Sequence, residues 1–166
     1  MSTGILVAGI GNIFLGDDGF GCEAARALAR EPLPGHVRVV DYGVRGLHLA
    51  YDLLDGYEAL VLIDALPGRQ GPGAVRVVEV GGEDLEPVDG AGLDAHAMHP
   101  ATVLATVEAL GGSLPRTFVV GCEPESTEES IGLSEAAGRA LGPATAAVRS
   151  LLEHELRELL EHEKES

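Results

Sequence analysis

Ile5-Leu6-Val7-Ala8-Gly9-Ile10-Gly11-Asn12-Ile13-Phe14-Leu15-Gly16-Asp17-Asp18-Gly19-Phe20-Gly21 runs from an apolar segment through a glycine-rich turn to the start of a helix. Residues 5–8 carry the apolar run of a buried strand, and helical patterning begins near Phe20. A turn of this kind normally cradles phosphate, because backbone N–H groups and the helix dipole attract anions. Here it ends in Asp17 and Asp18, two carboxylates placed where the phosphate would sit. Phe14 also stands at the third glycine position of G-x-G-x-x-G, where close helix packing would be lost. The loop built from Gly9, Gly11 and Asn12 therefore presents an acid at a strand's C-terminal end and points to a cation site.

Outward from this loop, β-branched apolar runs alternate with longer helical patterns, the signature of an α/β protein. Strands are predicted at residues 4–8, 37–42, 59–64, 74–80 and 117–122, and helices at 20–29, 46–54, 100–110 and 143–161. In the last helix Val148, Leu151, Leu152, Leu156, Leu159 and Leu160 repeat at three and four residues; Pro143 suits its first turn and Gly142 breaks it from residues 134–141. Residues 65–73, between the third and fourth strands, are too few for a usual parallel crossover, so that pair is predicted antiparallel. The expectation is a single three-layer domain over residues 1–166, with a five-stranded, mixed, mostly parallel sheet and helices on both faces. Residues 81–92, with four acids, read as a long exposed loop.

Composition narrows the function classes. With 166 residues and 45% hydrophobic content the chain can bury a real core. No apolar run approaches the ~20 residues of a membrane span. The first positive side chain is Arg26, so no basic leader is read and a cytoplasmic location is expected. A formal charge of −16, with Lys164 the only lysine, argues against nucleic acid. Cys22 and Cys122 make no C-x-x-C pair and read as reduced thiols; no His–Cys pairing suggests a cysteine protease.

Three places carry chemistry. Asp18, like Asp17, reads alone as a helix-capping acid worth ~1 kcal/mol. Asp64 ends the run Ala59-Leu60-Val61-Leu62-Ile63, at the strand end where open α/β sheets place ligands, although a turn-forming Asp is an even alternative there. His96 and His99, in Asp94-Ala-His96-Ala-Met98-His99-Pro100, precede a helix and could face one cleft. Together an acid after strand one, an acid after strand three and a histidine before a later helix converge on one sheet edge. Two carboxylates and an imidazole leave open positions on a divalent transition metal.

With Gly9-Ile-Gly11-Asn12, Asp17-Asp18-Gly19, Leu62-Ile-Asp64-Ala65, His96-Ala-Met98-His99-Pro100 and Val120-Gly-Cys122-Glu-Pro124 in this order, the chain resembles the hydrogenase maturation proteases over nearly its whole length. The resemblance implies an endopeptidase that removes the C-terminal extension of a [NiFe]-hydrogenase large-subunit precursor after nickel insertion. It implies a catalytic and metal site of Asp18, Asp64 and His96; Asp17 is a candidate neighbour of that site, and His99 stays open as a fourth ligand, a supporting neighbour or a neutral replacement. Nickel would be supplied by the substrate, and other divalent metals can occupy such a site in vitro. The expected partner is the precursor; neither nucleic acid nor membrane is expected, and the chain is expected to be a monomer. A nickel carrier without peptidase activity would use the same ligands, and a nucleotide-binding module is the reading that Phe14 and Asp17-Asp18 oppose.

Overall fold

Strand β1 (Ile5–Ile10) is buried along its whole length, as is β3 (Ala59–Ala65), because each has sheet neighbours on both sides and helices over both faces. A computed structural model of the protein describes residues 4–80 and 100–156. The remaining elements are α1 (Phe20–Ala29), β2 (Val37–Gly43), α2 (Gly46–Leu53), β4 (Val75–Glu79), α3 (Pro100–Ala109), β5 (Arg116–Cys122) and α4 (Glu135–Ser150), the last continued by a π-helical turn, Leu151–Glu155. The five strands lie in the order β2-β1-β3-β5-β4, all parallel except β4. This is the α/β architecture expected from the sequence.

Side chains alternate between the two faces of the sheet, as the strand period requires. Ile5, Val7, Val61, Ile63, Phe118 and Val120 join α1 and α4 in one core. Leu6, Ala8, Leu60, Leu62 and Val119 join α2 and α3 in the other. Strand-length apolar runs thus serve two cores at once, which is why β1 and β3 show no polar alternation.

Two expectations need correction. Strand β4 does run against the others, but its neighbour is β5 and not β3, with Val75 opposite Cys122 and Glu79 opposite Phe118. Residues 66–74 carry the chain past the place that β5 occupies, and a short connection says only that direction reverses, not which strand will later insert. The last helix does not begin at Pro143. It starts at Glu135, capped by the Ser134 hydroxyl accepting from the Ala137 N–H, and runs straight through Gly142 and Pro143. Both residues face solvent, while Ala137, Ala140, Ala144 and Val148 form the buried stripe. Packing of that stripe outweighs the hydrogen bond that Pro143 cannot donate. Leu159 and Leu160 of the predicted stripe, and the predicted loop at 81–92, lie outside the described residues.

Candidate functional site

Strand order fixes where a site can form. From β1 the chain turns through α1 to β2 on one side, while β3 lies on the other side of β1 and leads away toward β4 and β5. Adjacent parallel strands whose connections part in opposite directions leave a crevice outside their C-terminal ends. Asp64 sits on β3 at that edge, and the loop after β1 carries Asp17 and Asp18 over it.

Close approach of α1 brings the loop down onto the sheet. A Cβ on Gly21 would stand 2.0 Å from the Ile63 carbonyl oxygen and 2.5 Å from that of Ile10, and one on Gly9 would stand 2.2 Å from the Gly21 carbonyl oxygen. The packing contact that Phe14 cannot make is therefore supplied by Gly21, seven residues later in the chain. Gly11, at φ +139°, lies against the loop backbone: a Cβ there would meet the main-chain carbonyl oxygen of Asp18 at 1.9 Å and Asp64 Oδ1 at 3.6 Å. Any side chain here would press on the Asp18 backbone.

The three acids have different environments. Asp17 is 1% exposed and accepts from the Glu125 N–H at 2.8 Å, the Ser134 N–H at 2.7 Å and the Ser134 hydroxyl at 2.7 Å. It ties the first loop to the segment between β5 and α4. Asp18 is 5% exposed, and its Oδ2 accepts from the Asn12 N–H at 2.8 Å. Asp64 is 1% exposed; its Oδ1 accepts from the Ala65 N–H at 2.8 Å, but its Oδ2 is buried with no hydrogen-bond partner among the described residues. Burial, then the charge of Asp18, hold the Asp64 carboxyl well above the usual carboxylate range, against the opposing Ala65 N–H. A buried carboxylate oxygen without a partner is costly. A cation shared with Asp18 would remove both the desolvation and the repulsion, so the donor set fits a divalent metal. Among the described residues no group of three or more His, Cys, Asp and Glu is arranged to hold one. His96 and His99 lie outside the described residues; α3, which follows them at Pro100, leads through a short connection to the start of β5.

The thiols offer no alternative chemistry. Burial, then the charges of Asp17 and Glu123, push Cys122 up to about 11, and burial also pushes Cys22 up. Both stay neutral thiols near pH 7 and are buried. Sequence reasoning missed Glu123, which is 7% exposed and accepts from the Gln70 N–H at 3.0 Å and the Gly71 N–H at 2.6 Å. Nothing in the local pattern distinguishes such a loop anchor from a surface acid. It also missed the structural commitment of Asp17, whose partners lie 108 and 117 residues away.

Asp17→Ala is expected to lower stability by about 3 kcal/mol, because two backbone donors and a hydroxyl would lose a charged acceptor in a buried place. Urea unfolding should show a lower midpoint at unchanged slope; a midpoint equal to wild type would mean the clamp contributes nothing.

Comparisons with known proteins match one family and one fold. The hydrogenase maturation protease family (HycI) matches residues 22–151. Hydrogenase 2 maturation protease of Escherichia coli is 30% identical over 150 residues, spanning 89% of this chain and 90% of its own. The hydrogenase expression/formation protein HupD of Rhodobacter capsulatus is 33% identical over 144 residues, and the chain spans 64% of that longer relative. Among solved structures, the hydrogenase maturating endopeptidase HybD of E. coli superposes with a TM-score of 0.74 at 28% identity, covering 90% of this chain and 93% of that one. The hydrogenase 2 maturation peptidase of Thaumarchaeota archaeon SCGC_AB-539-E09 gives 0.69 at 30% identity, covering 90% and 98%.

Proposed function

The chain belongs to the hydrogenase maturation protease family of endopeptidases, and we propose that it removes the C-terminal extension of a [NiFe]-hydrogenase large-subunit precursor once nickel has been inserted. The observation that carries this reading is the Asp64 Oδ2, buried beside Asp18 at the crevice between β1 and β3 with no hydrogen-bond partner among the described residues. In the proposed reaction Asp18, Asp64 and His96 recognise the precursor's nickel, and His99 supports them from the same segment. Asp17 holds the loop so that Asp18 stays over the crevice. Nickel held there positions the adjoining peptide bond and can polarise its carbonyl toward attack by water. Without a cation, burial and the charge of Asp18 hold the Asp64 carboxyl well above the usual carboxylate range.

The test is mass spectrometry of a cognate precursor, nickel-loaded and nickel-free, after incubation with the protein. Loss of a C-terminal peptide from the loaded form alone is expected. Equal cleavage of both forms would leave the peptidase but remove nickel recognition, and no cleavage would favour a nickel carrier built on the same ligands.

A further inference from the structure

Beside the crevice, the first loop and the turn between β2 and α2 enclose a cleft of about 360 Å³, whose lining includes Asn12, Phe14, Arg26, Tyr42, Val44 and Arg45. Its apolar wall is open to solvent, with Phe14 61% and Val44 53% exposed. Several of its polar groups are committed within the fold. The Asp41 carboxylate accepts from Arg26 Nε and from the Gly43 N–H, each at 3.0 Å. The Tyr42 hydroxyl donates to Asp52 at 2.6 Å, and the Cys22 thiol donates to the Gly11 carbonyl at 3.6 Å.

Arg45 differs. Its Nε donates to the Tyr42 carbonyl at 3.1 Å and one Nη to the Asp41 carbonyl at 3.0 Å. These bonds fix the guanidinium plane and leave most of its N–H donors unused. They bring no negative charge. Elsewhere on this chain of formal charge −16, Arg26, Arg38, Arg116, Arg139 and Arg149 each pair with a carboxylate. Arg45, like Arg30, Arg69 and Arg76, forms no ion pair among the described residues, although acids outnumber basic residues 27 to 11; of these four, Arg45 is the one that lines this cleft. A cation held in place without a counter-charge, beside exposed apolar surface, is complementary to an acidic and apolar peptide. The cleft adjoins the crevice: Asn12, which lines it, donates its N–H to Asp18.

We propose that this cleft is the subsite for the precursor segment adjoining the scissile bond, with an apolar side chain against Phe14 and Val44 and an Asp or Glu side chain of the same segment on Arg45. The inference rests on the function proposed above. Arg45 acts in specificity, holding the segment in register, and takes no part in bond cleavage.

Steady-state cleavage of the nickel-loaded precursor by wild type, Arg45→Glu, Arg45→Gln and Arg139→Glu tests it. Arg45→Glu is expected to raise KM about tenfold with kcat changed less than about twofold, and Arg45→Gln to fall between. Arg139→Glu, the same charge change on the exposed face of α4, should leave KM unchanged; an equal rise there would reduce the effect to general charge and overturn the subsite. An unchanged KM in both Arg45 variants would also overturn it. Fluorescence anisotropy of a labelled peptide spanning the precursor's cleavage region, without metal, gives a readout independent of cleavage. If wild type does not cleave, the proposed function falls, while the anisotropy still decides the subsite. Weaker binding by Arg45→Glu, and by a peptide whose acids are replaced with amides, supports it. Equal binding overturns it, as would a change in sedimentation showing that a second copy of the chain fills the cleft.

Discussion

Asp64→Asn is expected to abolish cleavage of the nickel-loaded precursor while making the protein itself more stable near neutral pH. Activity should fall because the substitution removes one of the two acids, Asp18 and Asp64, proposed to meet the nickel, and losing several kcal/mol of charge stabilisation corresponds to roughly 10³-fold in kcat/KM. Stability should move the other way. Burial and Asp18 raise the Asp64 carboxyl well above the value near 3.8 that it has in an unfolded chain. Between those two values the folded protein keeps a proton that the unfolded chain releases. Wild-type stability is therefore greatest below the unfolded value and declines as pH rises toward the folded one. Asparagine has no such proton, so the two proteins should diverge progressively as pH is raised from about 4. Thermal unfolding across that range, in buffer with chelator, measures the divergence. Parallel curves would show that Asp64 is not held protonated. Added divalent nickel should raise the melting temperature of wild type and leave the variant unmoved, by mass action on the folded state.

Gly21→Ala is expected to cost several kcal/mol and leave little folded protein, from a single methyl group. The new Cβ would lie 2.0 Å from the Ile63 carbonyl oxygen and 2.5 Å from that of Ile10, both backbone atoms that cannot swing aside. Helix α1 would have to lift from β1 and β3, and the loop that carries Asp18 would move with it. Overpacking of a core by flexible side chains typically costs about 1–3 kcal/mol, and rigid backbone should exceed that. Gly138→Ala is the matched control. That glycine lies inside α4 on the solvent side with nothing near its Cβ, so alanine should add up to about 1 kcal/mol of stability. Urea midpoints of the two variants should shift in opposite directions. A Gly21→Ala midpoint close to wild type would mean that α1 can shift without loss, and that the position of Asp18 is not fixed by this contact.

Much of the fold is written locally. An apolar run such as Ile5-Leu6-Val7-Ala8 followed by a glycine turn and a helix is an α/β unit whatever surrounds it. The all-apolar Ala59-Leu60-Val61-Leu62-Ile63 can be satisfied only between two helical layers. Asp64 and the first loop were legible as strand-end residues for the same reason: they follow directly from strands whose ends the pattern marks. The partner of β4 was not legible, because pairing with β5 depends on a strand that comes later in the chain. Gly142 and Pro143 misplaced the start of the last helix, because local propensity is outweighed when the opposite face packs over α1 and the sheet.

By itself, then, the sequence determined the α/β class, the buried central strands and which residues stand at their C-terminal ends, since these depend on neighbours in the chain and on the period of apolar residues. Only the tertiary structure decided what each acid does there. Asp17 and Asp18 are adjacent in sequence, yet the first is consumed by donors from Glu125 and Ser134 while the second faces Asp64. The difference arises from burial and from partners more than a hundred residues away, which no local pattern encodes.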